Sequence, residues 1–254
     1  MDFGMTEEQE LLLDSLHELI EREAPESEVK KWYEAGTVSD SFMRAFLDAG
    51  FGFLGIPEEY GGTPADLTTL LMVAEELVRG TAATIPALSN VINMYDMVEF
   101  GTPDQIKLSM DLYDKTGKAA FSLAISEPQA GSDNYGMTTV ATRKNGKVYL
   151  NGSKTFITHG DVAPYCLVVA KDETPDRSNK DMSMWLFPAD MPGVKFARLH
   201  KIGQGTTSFA ELYLDNVELE ESCLVGTQGK GFLQLMKNFE IERLLICMQT
   251  LGLA

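Results

Sequence analysis

Cysteine is scarce: Cys166, Cys223 and Cys247 are the three in 254 residues. An odd number without CxxC spacing excludes a disulfide framework and a thiolate zinc site. Histidine is equally rare. His17, His159 and His200 stand far apart with no HExxH spacing, so no metal is expected. No run approaches the ~20 apolar residues of a membrane span. The start, "MDFGMTEEQE", is acidic where a secretion signal would be basic and then apolar. A soluble protein in a reducing cytoplasm is expected. Basic residues are also in deficit, 21 Lys and Arg against 38 Asp and Glu, a formal charge of −17. That field repels phosphate backbones and anionic lipid, so neither nucleic acid nor a membrane is an expected partner. It does not exclude a nucleotide cofactor held by backbone N–H groups.

What is present is a chain with 44% hydrophobic residues, enough for more than one domain. The front part reads as helices. In "TEEQELLLDSLHELIERE", Thr6 and Gln9 have capping-box spacing, and Leu12, Leu13, Leu16, Leu19 and Ile20 recur at helical spacing. "SDSFMRAFLDAG" places Phe42, Ala45, Phe46 and Ala49 on one face and Gly50 just past the end. "TPADLTTLLMVAEELVRG" has Thr63 before Pro64 and an expected end at Gly80. "TPDQIKLSM" joins a Thr102 cap, a first-turn Pro103 and Gln105.

From about Lys118 the period changes. "AAFSLAIS", "TTVATR", "KVYLNG", "YCLVVAKD", "MSMWLFPAD", "VKFARL" and "AELYLDNVEL" are short, β-rich and separated by turn residues. Asn145-Gly146 is a strong hairpin signal, because both residues tolerate positive φ. No helix-length segment interrupts the series, so an antiparallel barrel or sandwich is expected rather than a Rossmann unit. "DETPDRSNKD" (Asp172–Asp181) is the most polar, loop-like segment. "GQGTTS" (Gly203–Ser208) lacks the strand-then-helix context of a dinucleotide fingerprint, and "GTQGKG" lacks the GK[ST] of a phosphate loop. After them Ile241, Leu244, Leu245, Met248 and Leu251 form a helical stripe reaching almost to Ala254. Such a stripe needs other helices to cover it. The reading is an α+β multidomain chain: an N-terminal all-α domain over 1–117, a β-domain over 118–226, and over 227–254 the first helix of a truncated C-terminal bundle.

"AISEPQAGSDNYG" (Ala124–Gly136) mixes an acid, a proline, two glycines, two serines and an aspartate after a short apolar run. About thirty residues later comes "NGSKTFITHG". With "IPEEYGG" and "NFEIERLLICMQTLGLA", these stretches resemble the acyl-CoA dehydrogenases along the whole chain. The resemblance implies FAD, an acyl-CoA or enoyl-CoA substrate, an electron-transferring flavoprotein as redox partner, and a homo-oligomer, commonly a tetramer. "MDF", "EEQEL", "IPEE", "NGKVYLNGSKTFIT" and "ERLL" look closest to crotonobetainyl-CoA reductase-like members, which run the chemistry towards saturation of an enoyl-CoA.

The resemblance also implies roles. Ile125 and Ser126 would offer backbone N–H groups and a hydroxyl to the flavin edge, whose carbonyls and N5 call for donors. Leu123 would lie against the ring, Phe156 would pack on it, and Thr158 would donate towards N5. Gly131 and Ser132 would let the chain pass close to the pyrophosphate or the acyl-CoA. In the family a carboxylate removes the α-proton while the β-hydride moves to the flavin. In one group of members that carboxylate lies on the first helix of the C-terminal domain, where this chain has Glu242 followed by Arg243. In the rest it lies further on. The "KIGQGTTS" region would face substrate or a neighbouring subunit, with Gly205 or Thr206 where an arginine is often found. Two other readings stay open: a non-catalytic binding module that kept the fold, and a flavin-dependent oxidase or monooxygenase.

Overall fold

The computed structural model describes residues 4–173 and 181–254. The polar stretch expected as a loop, Asp172–Asp181, lies outside the described residues except at its ends. Six helices come first: α1 (Glu7–Glu23), α2 (Glu26–Ala35), α3 (Asp40–Asp48), α4 (Leu67–Thr81), α5 (Pro86–Phe100) and α6 (Pro103–Thr116). Eight strands follow: β1 (Phe121–Ala124), β2 (Val140–Lys144), β3 (Lys147–Thr158), β4 (Tyr165–Asp172), β5 (Met182–Pro188), β6 (Val194–Arg198), β7 (Phe209–Leu219) and β8 (Leu224–Val225). Helix α7 (Gly231–Leu253) closes the order. None of these helices is long and apolar enough to cross a membrane.

The chain forms two compact units. The first holds the residues up to Ile92 together with Ile202–Thr207 and Glu240–Ala254. Its helices begin where the caps demand. The Thr6 hydroxyl accepts the Gln9 N–H at 3.2 Å while the Gln9 side chain accepts the Thr6 N–H at 3.0 Å, a reciprocal cap worth about 1 kcal/mol. Leu13, Leu16, Leu19 and Ile20 then turn inward, and Trp32, Phe42, Phe46 and Phe51 form a run of ring contacts with centroids 4.9–6.1 Å apart.

Helix α4 departs from expectation at both ends. Asp66, not Thr63, caps it, accepting the Thr69 N–H at 2.7 Å. The helix runs past Gly80 to Ala82, which takes the left-handed conformation (φ 50°). Gly80 is inside the helix because it packs against α1: a Cβ there would come within 3.0 Å of Ile20 Cδ1. Contact between helices thus offsets the ~1 kcal/mol disadvantage of a helical glycine. On α7 the expected stripe is half covered, with Leu245 buried and Leu244 and Leu251 45% and 56% exposed.

The second unit, Asn93–Lys201 with Ser208–Phe239, is built on one sheet in the order β6-β7-β3-β2-β4-β5-β8, with β1 paired to β4. The sheet is mixed rather than antiparallel: β4 runs parallel to both β1 and β2, and the remaining pairings are antiparallel. Parallel neighbours need a crossover. Here β3 supplies the one between β2 and β4, leaving β2 through the Asn145-Gly146 turn, both residues at positive φ as a type I′ hairpin requires. Val168, Trp185, Phe187, Leu150, Leu212 and Val217 form the core of this unit.

Gly152, on β3, sits at φ 147°, and an added Cβ would lie 2.4 Å from Thr139 Oγ1 and 2.6 Å from Thr139 Cα. Gly152→Ala is expected to destabilise the fold by about 1–3 kcal/mol through overpacking and strain. Urea unfolding should show a lower midpoint with an unchanged slope.

Candidate functional site: a strand end, a closed loop and a bulge

Strand β1 stops at Ala124, and the chain leaves the sheet as the loop 125–139. Glu127 and Ala130 exchange backbone hydrogen bonds of 3.0 Å, so Pro128 and Gln129 form a tight turn. The Glu127 carboxylate, 3% exposed, then reaches across the loop. Its Oε2 accepts the Thr138 N–H at 2.6 Å, the Thr138 hydroxyl at 3.0 Å and Gln129 Nε2 at 2.6 Å. Its Oε1 accepts the Thr139 N–H at 2.9 Å and Lys154 Nζ at 2.8 Å. One side chain therefore joins the two ends of the loop.

Lys154 comes from β3, where side chains alternate faces, and it shares the inward face with Val148, Leu150 and Gly152. Its ammonium also donates to the Ile125 carbonyl at 2.9 Å. Both partners of the ion pair are fully buried. Just beyond, the register of β3 on β7 slips between Lys154 and Ile157. That bulge turns the Thr155 N–H away from the ladder to donate to the Ser126 carbonyl at 2.8 Å. It also throws Phe156 outward, 67% exposed and at φ 58°. For an aromatic residue that conformation is strained by roughly 1–3 kcal/mol, and such strain gathers at functional sites.

The electrostatics follow from burial. Burial by itself would raise the Glu127 pKa, but the Lys154 ammonium and the donors from Thr139 and Thr138 hold it at about 2. Burial draws Lys154 down to about 8 against the pull of Glu127, so both groups are charged at neutral pH. His159, the next residue after β3, is buried and also at positive φ. Burial lowers its pKa to about 4, Asp161 opposing and Lys118 and Lys201 adding to the shift, so it is neutral at pH 7.

The structure brings most of the expected site residues into one unit. Leu123 lies on β1, Ile125, Ser126, Gly131 and Ser132 on the loop, and Phe156 and Thr158 on β3 around the bulge. Gly131 and Ser132 are exposed, and a Cβ on Gly131 meets no atom within 4 Å. The chain leaves that space open to a ligand. Glu242 and Arg243 lie on the part of α7 that belongs to the first unit. Glu242 is half-buried, and desolvation raises its pKa against the opposing charge of Arg243.

These features suit a flavin. A planar ring needs an aromatic or aliphatic wall and a few donors at its edge; the exposed Phe156 offers a wall, and the hydroxyls of Ser126 and Thr158 are the donors of that set. Reading the sequence alone does not single out Glu127 and Lys154. The alternation of β3 was the available signal, since it turns a lysine towards the core.

Comparison with known proteins agrees with this architecture. Residues 6–109 match the family model "Acyl-CoA dehydrogenase, N-terminal domain" and residues 122–217 match "Acyl-CoA dehydrogenase, middle domain". The chain is 45% identical over all 254 residues to the probable acyl-CoA dehydrogenase YdiO of Escherichia coli K12, and it spans 66% of that protein's length. Its fold is similar to butyryl-CoA dehydrogenase from Megasphaera elsdenii (TM-score 0.84, 25% identity, 99% of this chain and 67% of that one). It is likewise similar to a chain of the solved structure "Electron transferring flavoprotein of Acidaminococcus fermentans" (TM-score 0.86, 28% identity, 99% and 66%).

Glu127 has a depressed pKa, so the stability it contributes is fully present above its ordinary value of 4.5 and is lost as the pH falls towards 2. Glu127→Gln should therefore be most destabilised relative to wild type near neutral pH. The gap should narrow by roughly 3 kcal/mol on acidification, as urea midpoints measured across that range would show.

Proposed function

Because the chain belongs to the acyl-CoA dehydrogenase family, we propose that it holds FAD against the bulge of β3 and the end of β1 and serves oxidation or reduction at the Cα–Cβ bond of an acyl-CoA thioester. The observation that carries this reading is Phe156, exposed and strained on a bulge that is tied by the Thr155 N–H to the Ser126 carbonyl. FAD, when bound, would supply the hydride acceptor for oxidation and, in its reduced form, the hydride donor for reduction. The chain supplies the rest. Ser126 and Ile125 offer donors to the ring edge, Thr158 donates from the far side of the bulge, and Phe156 and Leu123 form the apolar wall. Gly131 and Ser132 leave room for the pyrophosphate or the acyl-CoA chain.

Glu242 is the base that takes the α-proton in oxidation and, once protonated, the acid that returns it in reduction, with Arg243 close to the reacting groups. Its raised pKa supports the assignment, because a carboxylate poised nearer neutrality is a stronger base towards a weakly acidic carbon. The likeness to a structure described as an electron transferring flavoprotein supports a link to flavin electron transfer, with such a flavoprotein as redox partner. A cytoplasmic homo-oligomer, commonly a tetramer in this family, completes the proposal. Among substrates we favour a crotonobetainyl-CoA-like enoyl thioester reduced to the saturated form, within carnitine or fatty acid metabolism.

Full-length protein reconstituted with FAD should be yellow, and its flavin should bleach with a saturated acyl-CoA or, once reduced, recover its colour with an enoyl-CoA. Whichever reaction is faster gives the direction. Glu242→Gln should lower turnover by about 10²–10⁴-fold with the flavin still bound. Near-full activity in that variant would remove Glu242 from the mechanism, and a protein that stays colourless in excess FAD would overturn the whole reading.

A further inference from the structure

A buried ion pair is a poor way to stabilise a protein, because desolvating two charges cancels much of their attraction and a well-packed apolar pair does as well. Most ion pairs here, such as Lys30 with Glu26 or Lys107 with Asp111, are exposed and contribute little. Lys154 and Glu127 are different: neither side chain reaches solvent, and their bonds do something apolar residues could not. Lys154 Nζ holds the Ile125 carbonyl and the Glu127 carboxylate, and Glu127 holds the N–H groups of Thr138 and Thr139. Three separate segments, 125–127, 138–139 and the start of the bulge, thus meet at one contact.

Those segments carry the candidate ring wall. Ile125 and Ser126 adjoin Glu127, and Phe156 and Thr158 follow Lys154 by two and four residues. Phe156 is too exposed for packing to hold it in its strained conformation, so its place must be set by anchors on either side. Ile157 is buried on one side. Lys154 and Thr155 are on the other, the first bound to Ile125 and Glu127 and the second to Ser126.

We infer that Lys154 and Glu127 are positioning residues: their buried contact sets the spacing between the loop at Ile125–Ser126 and the bulge at Phe156–Thr158, and through it the fit of the cofactor. The cofactor part of this inference rests on the FAD reading above, whereas the anchoring of loop and bulge does not. Neither residue needs to touch the ring. Removing the ammonium should release both segments while leaving β5 intact, because its core is apolar, whereas the end of β4 is itself bound to the loop, Lys171 donating to the Thr139 carbonyl at 2.9 Å and to the Tyr135 carbonyl at 2.6 Å.

The test uses Lys154→Met, Lys154→Arg and Glu127→Gln. Hydrogen exchange read by mass spectrometry on the FAD-free protein should quicken by about tenfold or more in peptides covering 123–139 and 153–160 of Lys154→Met. Peptides from β5 should not change. In the FAD-loaded protein the dissociation constant should rise by about tenfold, with altered visible flavin bands, and Lys154→Arg should recover most of both effects. Exchange that is unchanged, or quickened equally in β5, would overturn the inference and leave the pair as a general core element. Loosened loops with unaltered flavin affinity and spectrum would overturn the cofactor part. If wild-type protein takes up no FAD, the functional reading fails, and the exchange pattern still decides the anchoring. Should Lys154→Met not fold, Glu127→Gln gives the same comparison with the Lys154 bond to Ile125 retained.

Discussion

An ammonium and a carboxylate sealed from solvent hold the β-unit's working edge in place. Glu127 is saturated by donors from Thr138, Thr139, Gln129 and Lys154, so its charge is fully compensated, the condition under which a buried carboxylate is tolerable. The arrangement explains why a loop of small and polar residues can be well defined although its outer part is exposed. Hydrogen bonds at its base replace the apolar packing that the loop lacks. A second polar network works elsewhere in the sheet. Arg143 pairs with Asp172 at 3.0 Å and Glu221 at 2.8 Å over the Trp185 ring, Ser183 donates to Asp172 at 2.6 Å, and the Gly229 N–H donates to Ser183 at 2.9 Å. This network ties the segment leading into α7 to strands β2, β4 and β5.

The chemistry proposed for the protein divides between the two units. The proposed ring wall belongs to the β-unit alone: a strand end, a loop closed by a carboxylate, and a bulge that exposes an aromatic ring. The proposed base is a property of α7, a helix whose residues through Phe239 pack with the β-unit and whose residues from Glu240 pack with the helical one. Partial burial is what raises the Glu242 pKa, and the adjacent Arg243 limits the rise. A base of this kind is tuned by desolvation rather than by a neighbouring acid.

Much of the architecture was legible in the sequence because it depends on contacts a few residues apart. The Thr6 and Thr102 capping boxes, the Asn145-Gly146 turn and the left-handed Gly50 are all decided by local backbone geometry. The limits of that reading appear where distant segments compete. Thr63-Pro64 looked like a helix start, yet Asp66 captured the first-turn N–H. Gly80 looked like a stop, yet contact with Ile20 carried α4 onward to Ala82. Alternation identified the strands but not their partners, since pleat and hydrophobicity are the same in parallel and antiparallel pairs.

For the candidate site the same division holds. The sequence by itself determined the residue types at the proposed ring wall, because the resemblance rests on short motifs, and the hairpin turn, which rests on two residues; β3 runs on to Thr158, past the expected "KVYLNG", and β8 was not expected. Only the tertiary structure decided that Lys154 faces inward onto Glu127, that β3 bulges at Thr155 and Phe156, and that the Thr155 N–H finds Ser126. Each of those depends on pairing between segments 27 to 58 positions apart, and no pattern within one segment can state which distant donor will meet which acceptor.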